Sequence, residues 1–179
     1  FADGRRSEPY PCDVVSRRLT DAVAIVLYET REEGGRRRGV RVALKTAVRP
    51  PVWLRRRARL THPDERTWDV LAEVVAGMLE PEDAGAGGIE HRAALEAHEE
   101  AGLRVPPSTV AALGAESFPS PGITDEKVHF RAAEARLDGR ARPKGDGSPM
   151  EEGGGVVVMP LADAIAACRR GDEIGRAHV

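Results

Sequence analysis

The stretch AGMLEPEDAGAGGIEHRAALEAHEEAGL, residues 76–103, decides how this chain is read. From position 89 to 101 it keeps helical period: at 3.6 residues per turn, Glu96, Glu99 and Glu100 fall on one face, because offsets of three and four residues bring side chains together. Like charges so placed cost roughly a few tenths of a kcal/mol per pair in an isolated helix. The patch therefore calls for a cation or a basic partner, and a hard divalent ion with oxygen ligands suits it. On the same wheel Ala93, Ala94, Ala97 and Ala101 make a small-residue stripe that lets the helix lie close against another element. Gly102 supplies the left-handed residue that ends the helix. The blander alternative is a solvated acidic face with no ligand, or an interaction module for a partner protein.

Upstream, DVLAEVVAG (69–77) predicts a strand that delivers Ala76 and Gly77 to this helix, with little side-chain bulk to obstruct a backbone carbonyl. The insert EDAGAGG (82–88) is too glycine-rich to pack well and is expected to be mobile. Nearer the N-terminus, the apolar run DAVAIVLY (21–28) predicts a buried strand, and GVRVALKTAV (39–48) alternates as a strand with one wetter face. Between them Gly34 and Gly35 mark a hairpin turn. After Arg49-Pro50-Pro51 comes the basic run LRRRARL (54–60), for which two readings stay open: guanidinium groups for phosphates, or an exposed edge or subunit contact.

Downstream, 110–118 and 127–137 read as strands around the loop PSPGITDE (119–126), whose two prolines and glycine give it a fixed shape. A long polar loop (138–155) carries Glu151 and Glu152; loops of that length are functional or disordered. VVVM (156–159) predicts a short buried strand. PLADAIAACRR (160–170) predicts a helix with proline in its first turn and a basic end before Gly171. Leu161, Ala164, Ile165 and Cys168 share its apolar face.

With 179 residues, 41% of them hydrophobic and 31% charged, the chain suits one globular domain, residues 19–179, preceded by an extended arm or linker, residues 1–18. A net charge of −2 argues against nucleic acid as a partner. Cys12 and Cys168 stand far apart and in no metal-ligand spacing, so both read as free thiols in a reducing compartment, which points to the cytoplasm. There is no run of 18 apolar residues and no visible signal peptide, so no membrane is expected. The chain opens on Phe1, so further residues of the natural protein are expected at its ends.

Leu95-Glu96-Ala97-His98-Glu99-Glu100-Ala101-Gly102-Leu103 resembles the second half of the signature of the Nudix hydrolases, in which a glycine and a glutamate precede Arg-Glu-apolar-any-Glu-Glu-any-Gly-apolar. Leu95 stands where that family has arginine, and the loop from Gly77 to the helix is longer than the family's, so Glu82 or Asp83 matches the early glutamate loosely. Arg92, one turn before Glu96, is placed to substitute for the arginine. Arg49-Pro50, the Glu73…Ala76-Gly77…Glu80-Pro81 pattern and SPGITDE are similar to segments of the subgroup that cleaves ADP-ribose and nucleoside diphosphate sugars.

That resemblance implies a mixed α/β (α+β) Nudix fold, a mixed sheet sandwiched between helices, and Mg²⁺-dependent (or Mn²⁺-dependent) hydrolysis of a nucleoside diphosphate derivative. It implies metal ligation by Glu96, Glu99, Glu100 and the Ala76 carbonyl, and catalysis by Glu99, Glu151 and Glu152. Arg49, Gly122, Thr124 and Glu126 become the substrate-binding set, and a homodimer is implied, with the arm or the arginine run at its contact. Gly154 stands where the subgroup carries a further glutamate. Together with Leu95 and the longer loop, it supports the alternative of a catalytically weakened domain that binds a nucleotide sugar as a sensor or scaffold.

Overall fold

The computed structural model describes residues 6, 9, 11–65, 67–141, 143, 154–171, 174 and 175. The first apolar run is the heart of strand β1 (Asp21–Glu33). Gly34 and Gly35, at φ of 61° and 72°, turn the chain back into β2 (Arg36–Ala47). A five-residue helix α1 (Pro50–Leu54) and an irregular segment lead to β3 (Leu71–Glu73) and β4 (Val75–Met78). Then follow α2 (Gly88–Ala101), β5 (Ala111–Ala112), β6 (Lys127–Glu134), β7 (Val156–Pro160), α3 (Leu161–Arg170) and β8 (Ile174–Gly175). The architecture is mixed α/β, with one mixed sheet in the order β5-β6-β1-β2-β3-β8. No helix among the described residues is long and apolar enough to cross a membrane.

Both faces of β1 are covered, which is why its sequence is apolar without alternation. Val23, Ile25 and Leu27 pack with Ala43 and Val75 against the alanines of α2, while Ala22 and Ala24 pack with Val42, Leu44 and Val74 toward Ala164 of α3. The β1–β2 pairing extends from the turn only to Leu27 and Ala43. Beyond that point the strands part: β4 takes the place of β2 along residues 22–25 of β1, and β3 stays on residues 45–47 of β2. The strand expected over 69–77 is thus broken at Val74, because its two halves serve different neighbours.

This parting gathers chain ends at one end of the sheet. β1 and the parallel β6 start there, paired from Asp21 and Lys127. β2 and β4 finish there, and β7 starts there, with Val156 opposite Lys45.

Other expectations are corrected in detail. The strand foreseen over 110–118 shrinks to β5 and an isolated bridge from Ser117 to Val128. Pro160 caps α3 rather than opening it. Ile165 is 43% exposed, because α3 meets the sheet through Leu161, Ala164, Ala167 and Cys168. The glycine-rich insert is packed only at its ends: Pro81–Asp83 form a 3-10 turn, Asp83 is buried, and Gly88 sits so close to the Asp83 carbonyl that a Cβ would collide with it, while Ala84–Gly87 between them are exposed.

Gly102 closes α2 at φ 66°, with its N–H donated to His98 O (3.1 Å) and the Leu103 N–H to Ala97 O (3.0 Å). It also accepts the Ala141 N–H (3.1 Å), and a Cβ there would strike the Ala141 carbonyl. Left-handed backbone costs a non-glycine residue roughly 1–2 kcal/mol, and the collision adds to it. Gly102→Ala is therefore expected to destabilise by about 2 kcal/mol or more. A scanning-calorimetry melting temperature should fall by roughly 4 °C or more.

Candidate functional site

α2 lies across the parted strands by its alanine stripe. Ala93, Ala97 and Ala101 are fully buried, and their small side chains let the helix come down onto the sheet. Gly77 completes the fit, since a Cβ on it would overlap the Glu96 carboxyl group. Its backbone is not in the left-handed region, so what makes the position suit glycine is the carboxylate resting on it.

Around Glu96 the structure brings together Glu100, Arg92, Lys45 and the β4 backbone. Glu100 accepts the ammonium of Lys45 on Oε1 and the Ala76 N–H on Oε2 (3.2 Å). Arg92 donates through Nε to Oδ2 of Asp83 (2.7 Å), and its Nη1 lies 3.8 Å from Oε1 of Glu96. Asp83 in turn accepts the Glu80 N–H (2.8 Å). Burial alone would raise the Asp83 carboxyl, but the bonds from Glu80 and Arg92 hold it below its ordinary value. Arg92 is thus anchored by the insert and directed at the acidic face. Of the two acids at the start of the insert, Asp83 is the buried one that holds Arg92, and Glu82 is exposed.

Glu96 is pushed up to about 7, first by burial and then by Glu100 and Glu99, against the opposing pull of Arg92 and Lys45. Glu99 is exposed at the solvent edge of the patch. Leu95 looks away from it, into a hollow lined by His91, His98, Arg104, Val105 and Pro107. Among the described residues, no group of three or more His, Cys, Asp and Glu side chains is drawn together as a metal ion would draw them.

Arg49, Thr124 and Glu126 lie at the gathered end of the sheet but are engaged within the chain. Arg49 forks onto the buried carboxylate of Glu73, with Nε 2.9 Å from Oε2. Thr124 Oγ1 accepts the Glu126 N–H (2.9 Å), Arg17 pairs with Glu126 (3.2 Å), and Gly122 is exposed. The arm docks on this loop: Val15 N–H donates to Ile123 O (2.8 Å) and Ser16 Oγ to Asp125 Oδ2 (3.0 Å). Of the arginine run, Arg55 is held by Asp64 (3.0 Å) and Arg56 by Asp69. The guanidinium groups of Arg56 and Arg57 lie 4.3 and 5.1 Å from the Trp53 ring. Glu151 and Glu152 lie outside the described residues.

Lys45 escaped the sequence reading. The alternation of β2 placed it with Arg41 on the wetter face, yet that face is roofed by α2, and Lys45 is only 7% exposed. The signal was a lysine between Leu44 and Thr46 in a strand facing a helix with three carboxylates. No protein-family model and no curated protein matches the chain.

Two outcomes follow for Glu96. Gly77→Ala is expected to expel its carboxylate while costing little stability, because a flexible side-chain end can move aside. A nearly unchanged melting temperature, with the Glu96 carboxyl titrating lower by NMR than in the wild type, would show this. The second concerns pH. With a pKa raised from 4.5 to about 7, the protonated folded state is favoured below the unfolded value, and that contribution disappears as pH rises through about 7. Metal-free denaturation midpoints are expected to fall between these values, by less in Glu96→Gln than in the wild type.

Proposed function

We propose that the chain is a Mg²⁺- or Mn²⁺-dependent Nudix-type pyrophosphatase that hydrolyses a nucleoside diphosphate sugar or ADP-ribose. The observation that carries this reading is the seating of Glu96 on side-chain-free Gly77, with Glu100 tied to the same strand. It is a cradle of carboxylates and backbone, with no thiolate, whose donor chemistry fits a hard cation. Glu96, Glu100 and Glu99 would hold the metal, with the Ala76 carbonyl beside them. When bound, it neutralises the diphosphate and lowers the pKa of water.

The chain's own residues do the rest. Water attacks one phosphorus, the bridging P–O bond breaks, and the products are a nucleoside monophosphate and a sugar phosphate. Glu99, exposed and close to the buried pair, accepts a proton from the attacking water, a part the resemblance also offers to Glu151 and Glu152. Arg92 holds Glu96 in place from the Asp83 side. Arg49, at the same end of the sheet, offers a guanidinium fork to the substrate on exchange with Glu73. The loop with Gly122, Thr124 and Glu126 borders the substrate, and a second copy of the chain is the expected partner.

The weakened, sensor-type reading is favoured by one specific contact, the ammonium of Lys45 on Glu100. A panel of ADP-ribose, UDP-glucose and related compounds, assayed for phosphate monoester products with Mg²⁺, separates the two: a sensor binds without turnover. In an active protein, Glu96→Gln or Glu100→Gln is expected to lower kcat by about a hundredfold or more, removing roughly 2.7 kcal/mol of barrier reduction. Near-normal turnover in both variants would sink the metal assignment.

A further inference from the structure

The acidic face already holds a cation that the fold itself supplies. Lys45 lies in the interior of β2 on the sheet face beneath α2, 7% exposed, so its ammonium must be neutralised where it stands rather than reach out to water. It meets Oε1 of Glu100, whose other oxygen takes the Ala76 N–H. Glu100 thus has both oxygens engaged by protein groups, and a cation that joins it to Glu96 through Oε1 would stand against the Lys45 ammonium.

We propose that Lys45 is the built-in counter-ion of this face, and that a divalent cation binds by displacing its ammonium from Glu100. Lys45 is then a positioning residue that sets how much free metal the site requires. The inference rests on the metal reading given above. An ammonium and a divalent ion cannot share one carboxylate oxygen without strong repulsion in a partly dehydrated site. The released side chain has a second carboxylate within its own reach, because Glu73 stands directly across from Lys45 in the β2–β3 register and is buried. Directly opposed residues keep their Cβ atoms about 5 Å apart, so the ammonium can pass from Glu100 toward Glu73 without moving the strand. Arg49, which forks onto Glu73, completes an alternating series of charges along which that shift is accommodated.

Isothermal titration of Mn²⁺ into the wild type, Lys45→Met and Lys45→Arg tests this. Lys45→Met is expected to bind Mn²⁺ about tenfold more tightly or better, and Lys45→Arg no more tightly than the wild type. Equal or weaker binding by a folded Lys45→Met protein overturns the displacement. Because that variant leaves Glu100 without its cation, a second measurement uses the wild type alone. The chain has three lysines, at 45, 127 and 144, so protein carrying ε-¹³C-lysine gives a short NMR spectrum, in which the Lys45 signal is the one missing from Lys45→Arg. Mg²⁺ saturation is expected to shift that signal, and a signal that stays in place overturns the proposal. Failure of the wild type and Lys45→Met alike to bind any metal removes the pyrophosphatase reading itself. That result is distinct from equal affinity in both, which removes only the displacement.

Discussion

The close seat of α2 on the parted strands is the constraint on which the rest depends. Its buried residues are alanines, each offering little apolar area, so the helix is held less by the hydrophobic yield of large side chains than by contact at short range. Polar ties at its ends make up the difference: Glu90 accepts Arg131 Nε at 2.9 Å, Arg92 reaches Asp83, and Gly102 locks onto Ala141. Larger residues in the stripe would lift the helix, and the first thing to lose its place would be Glu96 above Gly77.

A seat so close confines carboxylates where water is scarce. Buried ion pairs rarely add net stability, because dehydration offsets the attraction, but removing one partner strands the other. Lys45 with Glu100, Arg49 with Glu73 and Arg92 with Asp83 form three such pairs around one helix. They make the acidic face affordable to the fold. They also mean that its chemistry cannot be altered one residue at a time without a response from the neighbour.

Much of this was legible from the chain alone. The period of residues 89–101, the Gly34-Gly35 turn and the unbroken apolar run of β1 each follow from local physics that tertiary packing did not override. The acidic face came from the same periodicity. Less legible were features set by neighbours in space. Val74 interrupts what reads as one strand because its flanks pair with different partners. The insert is pinned at its start because Asp83 finds Arg92 and the Glu80 N–H. Lys45 was hidden by the rule that charged positions on an alternating strand face water, a rule that fails where a helix supplies the opposite charge. The arm appeared only as an extended leader, and its bond to the 123–125 loop has no sequence signature.

The central position of β1 has a consequence for how the chain acquires its shape. Its parallel neighbour β6 begins more than a hundred residues later, with Asp21 opposite Lys127, and β7 reaches β2 from farther still. At ribosomal speeds of about 5–20 residues per second, the gap lasts on the order of ten seconds. During that time the most apolar segment of the nascent polypeptide has only its own hairpin and β4 for company, and pairing of such distant segments is slow once it begins. An unpaired strand edge of this kind is open to other chains. Shielding of residues 21–28 while the second half is being made is therefore expected to matter to yield in a host cell alongside the final stability of the domain.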